Sequence, residues 1–170
     1  MLRMSCPCLI PEPDYPGTAL WGPLLWCMLH GLAERAGTCT SPMFLDDERR
    51  YWSHLFKETG EIIPCPTCKS HYIDYLRDHP VTVIKTLPHS ERKAWITKWF
   101  WELHNNVNAR LGKSIFPQEG LSTYRNVNLH ETLGRLEAPL KIAIKLLGKN
   151  FLKYVEWKKR VTMMFSIFGI

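Results

Sequence analysis

Six cysteines define the chemistry open to this chain, and four of them come as close pairs. Cys65 and Cys68 bracket Pro66-Thr67 in a C-P-T-C element, Cys6 and Cys8 form C-P-C, and Cys27 and Cys39 stand apart. A disulfide within either pair closes only a tiny loop and adds little stability. Close pairs suit thiol–disulfide exchange or metal ligation instead. Pro66 fits the first position of a helix, where its missing N–H costs nothing. That puts Cys65 near the N-cap and Cys68 one turn in, where unpaired N–H groups, the helix dipole and Lys69 favour a thiolate. The rival is half of a zinc site, with Cys65, Cys68 and His71 as ligands and Cys6 or Cys8 completing the set. A bare C-x-x-C leaves the two even.

A second cluster lies in Trp99-Phe-Trp101-Glu-Leu-His104-Asn105-Asn106-Val107-Asn108. His104 and Asn108 are i,i+4, and Asn105 and Asn108 are i,i+3, so all three share one helix face. Histidine and asparagine are mediocre helix formers, and this stripe borders Trp101 and Val107. Such a face suits a polar ligand lying along the helix. Upstream, Trp26 and His30 are i,i+4 on another helix. A flat aromatic ligand with hydrogen-bonding edges accounts for both helices, and a zinc ion does not.

The elements that must hold these residues read as helices. Leu25, Met28, Leu29, Leu32 and Ala33 recur at spacings of three and four in a helix that starts at Thr18 or Gly22-Pro23 and stops at Gly37. A second helix is expected over about 44–57, with Ser41-Pro42 before it and Gly60 beyond it. A third runs from the C-P-T-C element to Asp78, ended by His79-Pro80. The fourth has Ser90 as N-cap, runs through Leu111 and ends on Gly112. Four helices without strand–helix alternation predict an all-α protein built on a four-helix bundle. Residues 113–127 read as a linker. One or two basic amphipathic helices follow from about Asn128, with breaks near Pro139 and Gly148. This divides the chain into an N-terminal arm (1–17), a bundle domain (18–120) and a basic C-terminal extension (121–170).

At 170 residues, with 45% hydrophobic and 22% charged side chains, the chain has an ordinary globular balance, which excludes collagen-like and wholly disordered classes. No apolar run approaches the roughly 18 residues of a membrane span, and the N-terminus lacks a secretory apolar core before prolines intervene. A soluble, non-secreted intracellular protein is expected. Residues 1–120 carry 13 basic and 13 acidic side chains, and residues 121–170 carry nine basic and three acidic, so the whole net charge of +6 belongs to the extension. A solvated helix face explains such a run better than an electrostatic contact with nucleic acid.

The chain resembles the Erv/ALR family of FAD-linked sulfhydryl oxidases. Three motifs carry the resemblance over roughly residues 20–117: Trp21-Gly22-Pro-Leu-Leu-Trp26-Cys-Met-Leu-His30, Pro64-Cys65-Pro-Thr-Cys68-Lys-Ser-His71-Tyr72, and Trp99 through Lys113. It implies a four-helix bundle with a short fifth helix around FAD. It makes Cys65–Cys68 the active disulfide, with Cys68 nearest the flavin and Cys65 exposed to incoming thiols. It assigns Gly22, Trp26, His30, His71, His104, Asn105, Val107 and Asn108 to the flavin pocket and Lys113 to the pyrophosphate. Protein dithiols or a thioredoxin-like carrier then supply electrons to dioxygen, giving hydrogen peroxide, in a homodimer. Cys6–Cys8 is the candidate shuttle disulfide, or else two unpaired cysteines on a loose arm, and Cys27 and Cys39 are expected to be inert thiols.

The sequence departs from the family at two places. The usual structural disulfide after the fourth helix is replaced by Trp101 and Gln118, which suggests packing of Trp101 against neighbouring aromatics. The tyrosine-rich stretch after the first motif reads Glu34-Arg35-Ala36-Gly37, where part of the flavin environment and the dimer face would lie. With the added extension, the pattern is closest to versions from large DNA viruses, acting in cytoplasm, viral factory or virion sooner than in the mitochondrial intermembrane space. Two rival functions remain: a zinc-stabilised helical nucleic-acid-binding module and a flavin-free dithiol carrier. The His/Asn stripe serves neither.

Overall fold

In a computed structural model of the chain, residues 17–146 and 151–170 are described. Six α-helices follow one another: α1 (Thr18–Ala33), α2 (Pro42–Ile62), α3 (Pro66–Asp78), α4 (His89–Arg110), α5 (Leu129–Leu146) and α6 (Phe151–Phe168). Two short 3₁₀ helices, Thr82–Lys85 and Gln118–Tyr124, interrupt the connections. The described residues contain no strand, and none of their helices is long and apolar enough to cross a membrane. Cys6 and Cys8 lie outside the described residues.

Helix α1 begins at Thr18, so Pro23 falls inside it. Helix α2 outruns its expected end by five residues, because Gly60 does not stop it: a Cβ there would come within 3.0 Å of the Tyr72 ring, so the glycine lets α3 approach. Helix α3 starts on Pro66 as expected, with Cys65 as its N-cap. Helix α4 starts one residue before Ser90, with Pro88 as N-cap. At its other end Gly112 takes a φ of +65°, in the left-handed region. Lys113 N–H then bonds Asn108 O at 2.8 Å, which closes a Schellman turn.

Pro139 does not break α5. Leu136 and Leu140 on either side of it are fully buried, and their packing outweighs the roughly 3 kcal/mol cost of an interior proline. Residues 113–127, read as a linker, include the 3₁₀ helix Gln118–Tyr124, which supplies the short fifth helix of the bundle.

The bundle core is aromatic. Phe56 of α2 stacks on Phe100 of α4 at 4.9 Å and meets Trp99 edge-on at 4.7 Å. Helix α5 packs along α1 and α6 along α2. One hydrophobic cluster runs from Met28, Leu55 and Phe56 into Leu136, Trp157, Val161 and Phe165, so no seam in the core coincides with the composition boundary at residue 120. Several of the extension's charges pair within the chain: Arg160 with Glu58, and Lys141 and Lys158 with Glu137.

The Glu34-Arg35-Ala36-Gly37 departure ties α1 to its neighbours. Glu34 is buried with Lys93 3.0 Å away, and Arg35 donates to Val127 O at 2.8 Å. Gly37 N–H reaches the wholly buried Glu48 at 2.7 Å, and Glu48 also takes Arg92 at 3.1 Å. A buried carboxylate needs such partners.

Candidate functional site

The N-terminus of α3 brings the two cysteine sulfurs to 2.7 Å, closer than non-bonded sulfurs rest and within about 1 Å of the disulfide length. Cys68 N–H points at Cys65 Sγ, 3.3 Å away, and gives that sulfur a backbone donor for negative charge. One expectation is corrected here: Cys65, expected to face solvent, is 3% exposed, while Cys68 is half-buried. Lys69 pairs with Glu61 at 2.8 Å.

Cys68 lies on the wall of a cavity of about 490 Å³, within the size range of cofactor sites. Of the residues singled out in the sequence, Gly22, Trp26, His71, His104, Val107, Asn108 and Lys113 line it with Cys68. Gly22 faces open space, since a Cβ added there meets nothing within 4 Å. Trp26 and His104 stack at 4.2 Å with 8° between their planes. The Schellman turn places Lys113 at the cavity beside Arg110.

His30 stands behind that wall: its Nε2 lies 3.0 Å from His104 Nδ1, and its ring stacks on Tyr124 at 4.7 Å. Burial, with the neighbouring His104 second, pushes His30 down to about 3. Burial, followed by the Lys113 charge, pushes His104 down to about 4. Both rings are therefore neutral at pH 7.

Asn105 does not line the cavity. Its amide clamps the backbone of Phe116, accepting from Phe116 N–H at 2.7 Å and donating to Phe116 O at 3.1 Å. Trp101, expected to pack on aromatics, donates Nε1–H to the same carbonyl at 2.8 Å. The missing structural disulfide is thus replaced by polar ties to Phe116. That ring in turn lies over His104, with centroids 5.6 Å apart.

Several wall residues went unread in the sequence. Tyr124 sits in the segment read as a linker, and Thr59 is one threonine in an amphipathic helix with no local signal. Tyr72 was visible only as a neighbour of the cysteine motif. Cys27 and Cys39 do not face one another's partners: Cys27 Sγ lies 3.9 Å from Thr132 Oγ1, and Cys39 reaches Ser41 O at 3.8 Å. Among the described residues, no three His, Cys, Asp or Glu side chains gather to hold a metal.

A flavin dinucleotide fits what is present. Stacked rings and apolar walls suit a flat heteroaromatic, and cationic Arg110 and Lys113 suit phosphates. Trp21 Nε1 is a buried donor on this wall with no hydrogen-bond partner, as a bound acceptor would require.

A model of the Erv1 / Alr family matches residues 23–127. The chain is 31% identical over 125 residues to an FAD-linked sulfhydryl oxidase of African swine fever virus (isolate Tick/Malawi/Lil 20-1/1983), covering 69% of this chain and 87% of the relative. It is 27% identical over 99 residues to a protein of Invertebrate iridescent virus 6 described as a FAD-linked sulfhydryl oxidase, covering 58% and 86%. Over 95 residues it is 30% identical to one so described from Acanthamoeba polyphaga mimivirus, covering 56% and 61%. No solved structure matches the chain.

Proposed function

This chain belongs to the Erv1/Alr family, and from that premise we infer that it is an FAD-linked sulfhydryl oxidase whose working disulfide is Cys65–Cys68. The observation that carries the site assignment is Cys68 on the wall of a ring-lined cavity with Cys65 2.7 Å behind it. The bound flavin would accept the electron pair and pass it on; the protein supplies place, orientation and thiol chemistry.

In the proposed cycle a substrate thiolate attacks Cys65 Sγ. The Cys65–Cys68 bond breaks, and Cys68 leaves as a thiolate on the cavity side. A second substrate thiol then attacks the mixed disulfide, so the substrate leaves oxidised and Cys65 is released reduced. Two electrons are now held by the cysteine pair next to the cofactor site. Because Cys65 is buried, attack on it requires the surface over the start of α3 to open. On the cofactor side, the neutral His30–His104 pair holds the ring wall without introducing a charge. Trp26 and His104 offer the stacking face, and Gly22 leaves the cleft open. His71, Val107 and Asn108 complete the contacts, with Lys113 and Arg110 placed for the phosphates.

Dioxygen is the proposed acceptor, with hydrogen peroxide as product. Protein dithiols or a thioredoxin-like carrier are the proposed donors, Cys6–Cys8 the proposed shuttle and a homodimer the proposed assembly. The named viral relatives support a site of action inside the infected cell, where stable disulfides otherwise seldom form. An oxygen electrode with dithiothreitol tests the assignment. Cys65→Ser and Cys68→Ser should each abolish oxygen uptake, and wild-type turnover by either would refute it.

A further inference from the structure

A buried hydrogen bond links the C-terminal helices to the cavity wall. Trp157, wholly buried on α6, donates its indole N–H to Thr59 Oγ1 at 3.1 Å. Tyr72 donates its hydroxyl to Phe56 O, one turn before Thr59 on α2, at 2.6 Å. Thr59 and Tyr72 both line the cavity.

An indole N–H only donates and a carbonyl only accepts, so Thr59 accepts from Trp157 and Tyr72 donates to Phe56. In a buried setting each of these bonds is stronger than in water. Tyr72 is i,i+4 from Cys68 on α3, one turn away on the same face. Its ring is also held by the close approach of Gly60. One residue before Thr59, Glu58 takes a two-point ion pair from Arg160 at 2.7 and 2.9 Å, which fastens the same stretch of α6 to α2.

We propose that Trp157 is a positioning residue for the cysteine pair and the cofactor cavity: through Thr59 and Tyr72 it fixes the wall on which Cys68 sits. The proposal rests on the reading of Cys65–Cys68 and the cavity as the redox site. The matched family region ends at residue 127, so Trp157 belongs to the helices beyond it, while Thr59 and Tyr72 lie within it.

The test compares release of FAD from the holoprotein, followed by flavin fluorescence on dilution, in two variants of the α2–α6 interface. Trp157→Phe keeps an aromatic ring at the site and removes the donor with the five-membered ring that carries it. Arg160→Met breaks the neighbouring ion pair and touches neither Thr59 nor Tyr72. Both should lower the melting temperature, but only Trp157→Phe should weaken FAD retention, by roughly 3- to 10-fold. Thr59→Val removes the same link from the other side. It should give a similar loss, and the double variant little more than either alone. If Trp157→Phe does not fold, Thr59→Val beside Arg160→Met decides the matter. Unchanged FAD release in the folded Trp157→Phe or Thr59→Val protein overturns the proposal, as does an equal loss in Arg160→Met. Wild-type protein that binds no FAD overturns the reading of the site, and the proposal with it.

Discussion

Asn105 offers the sharpest choice between touching the cofactor and holding the wall around it. Its amide makes two hydrogen bonds to the Phe116 backbone, and Trp101 adds a third to the same carbonyl. Replacing Asn105 with alanine leaves that carbonyl bonded to Trp101 but strips Phe116 N–H of its acceptor. Two net hydrogen bonds, one of them backed up by Trp101, come to about 1–2 kcal/mol. Phe116 lies over His104, so the loss falls on the order of the cavity wall. FAD affinity should therefore fall roughly 5- to 30-fold, read by fluorescence titration. Trp101→Phe is the companion variant, since Trp101 does not line the cavity. It should also weaken FAD, by less, because Asn105 still bonds the carbonyl. The double variant should lose more than the two single effects combined. If Asn105→Ala weakens FAD while Trp101→Phe and the double variant add nothing, Asn105 acts by direct contact and the clamp argument is wrong.

Acid should loosen the site through its histidines. His30 and His104 are held at about 3 and about 4, below the 6.5 of an unperturbed histidine, so the unfolded chain takes up protons first as pH falls. The stability they give is complete above pH 6.5 and is lost as pH falls toward 4 for His104 and toward 3 for His30. At pH 5 the buried His30 alone accounts for about 2 kcal/mol, which in a chain of this size lowers the melting temperature by about 4–8 °C. His30→Asn should flatten that slope, and a melting temperature equally steep in both proteins would contradict the assignment. Removal of residues 121–170 takes away Leu136, Leu140, Trp157, Val161, Met164 and Phe165, each at most 1% exposed. At about 1.5–3 kcal/mol each, they rival the whole stability of a domain, so circular dichroism should show no cooperative melt. A folded 1–120 fragment would show that the extension is dispensable to the core.

The cysteine motif, the polar stripe on α4 and the boundaries of α3 were legible because each rests on local rules: a proline at N1, a helical spacing, a glycine in the left-handed region. Gly60 and Pro139 misled for the opposite reason. Both are local breakers whose effect is overridden by tertiary contacts, the Tyr72 ring at Gly60 and buried leucines around Pro139. The exposure expected of Cys65 came from the resemblance alone, and burial depends on what packs over the start of α3. Helical spacing puts Asn105 on the face of Asn108, but which partner its amide finds depends on where residues 113–116 return, and no periodicity records that. Thr59 and Trp157 meet across 98 residues of sequence. A single threonine in α2 gives no sign of such a partner, and the amphipathic pattern of the extension does not say which helix its apolar face will cover.

The most direct test of the central claim is the visible absorption spectrum of the purified protein, recorded before and after dithiothreitol and again in air. A flavin band near roughly 450 nm that bleaches with the dithiol and returns with oxygen, and that no longer bleaches in Cys68→Ser, is the predicted result. A colourless protein, or a flavin whose colour the dithiol bleaches equally well without Cys68, would contradict the account.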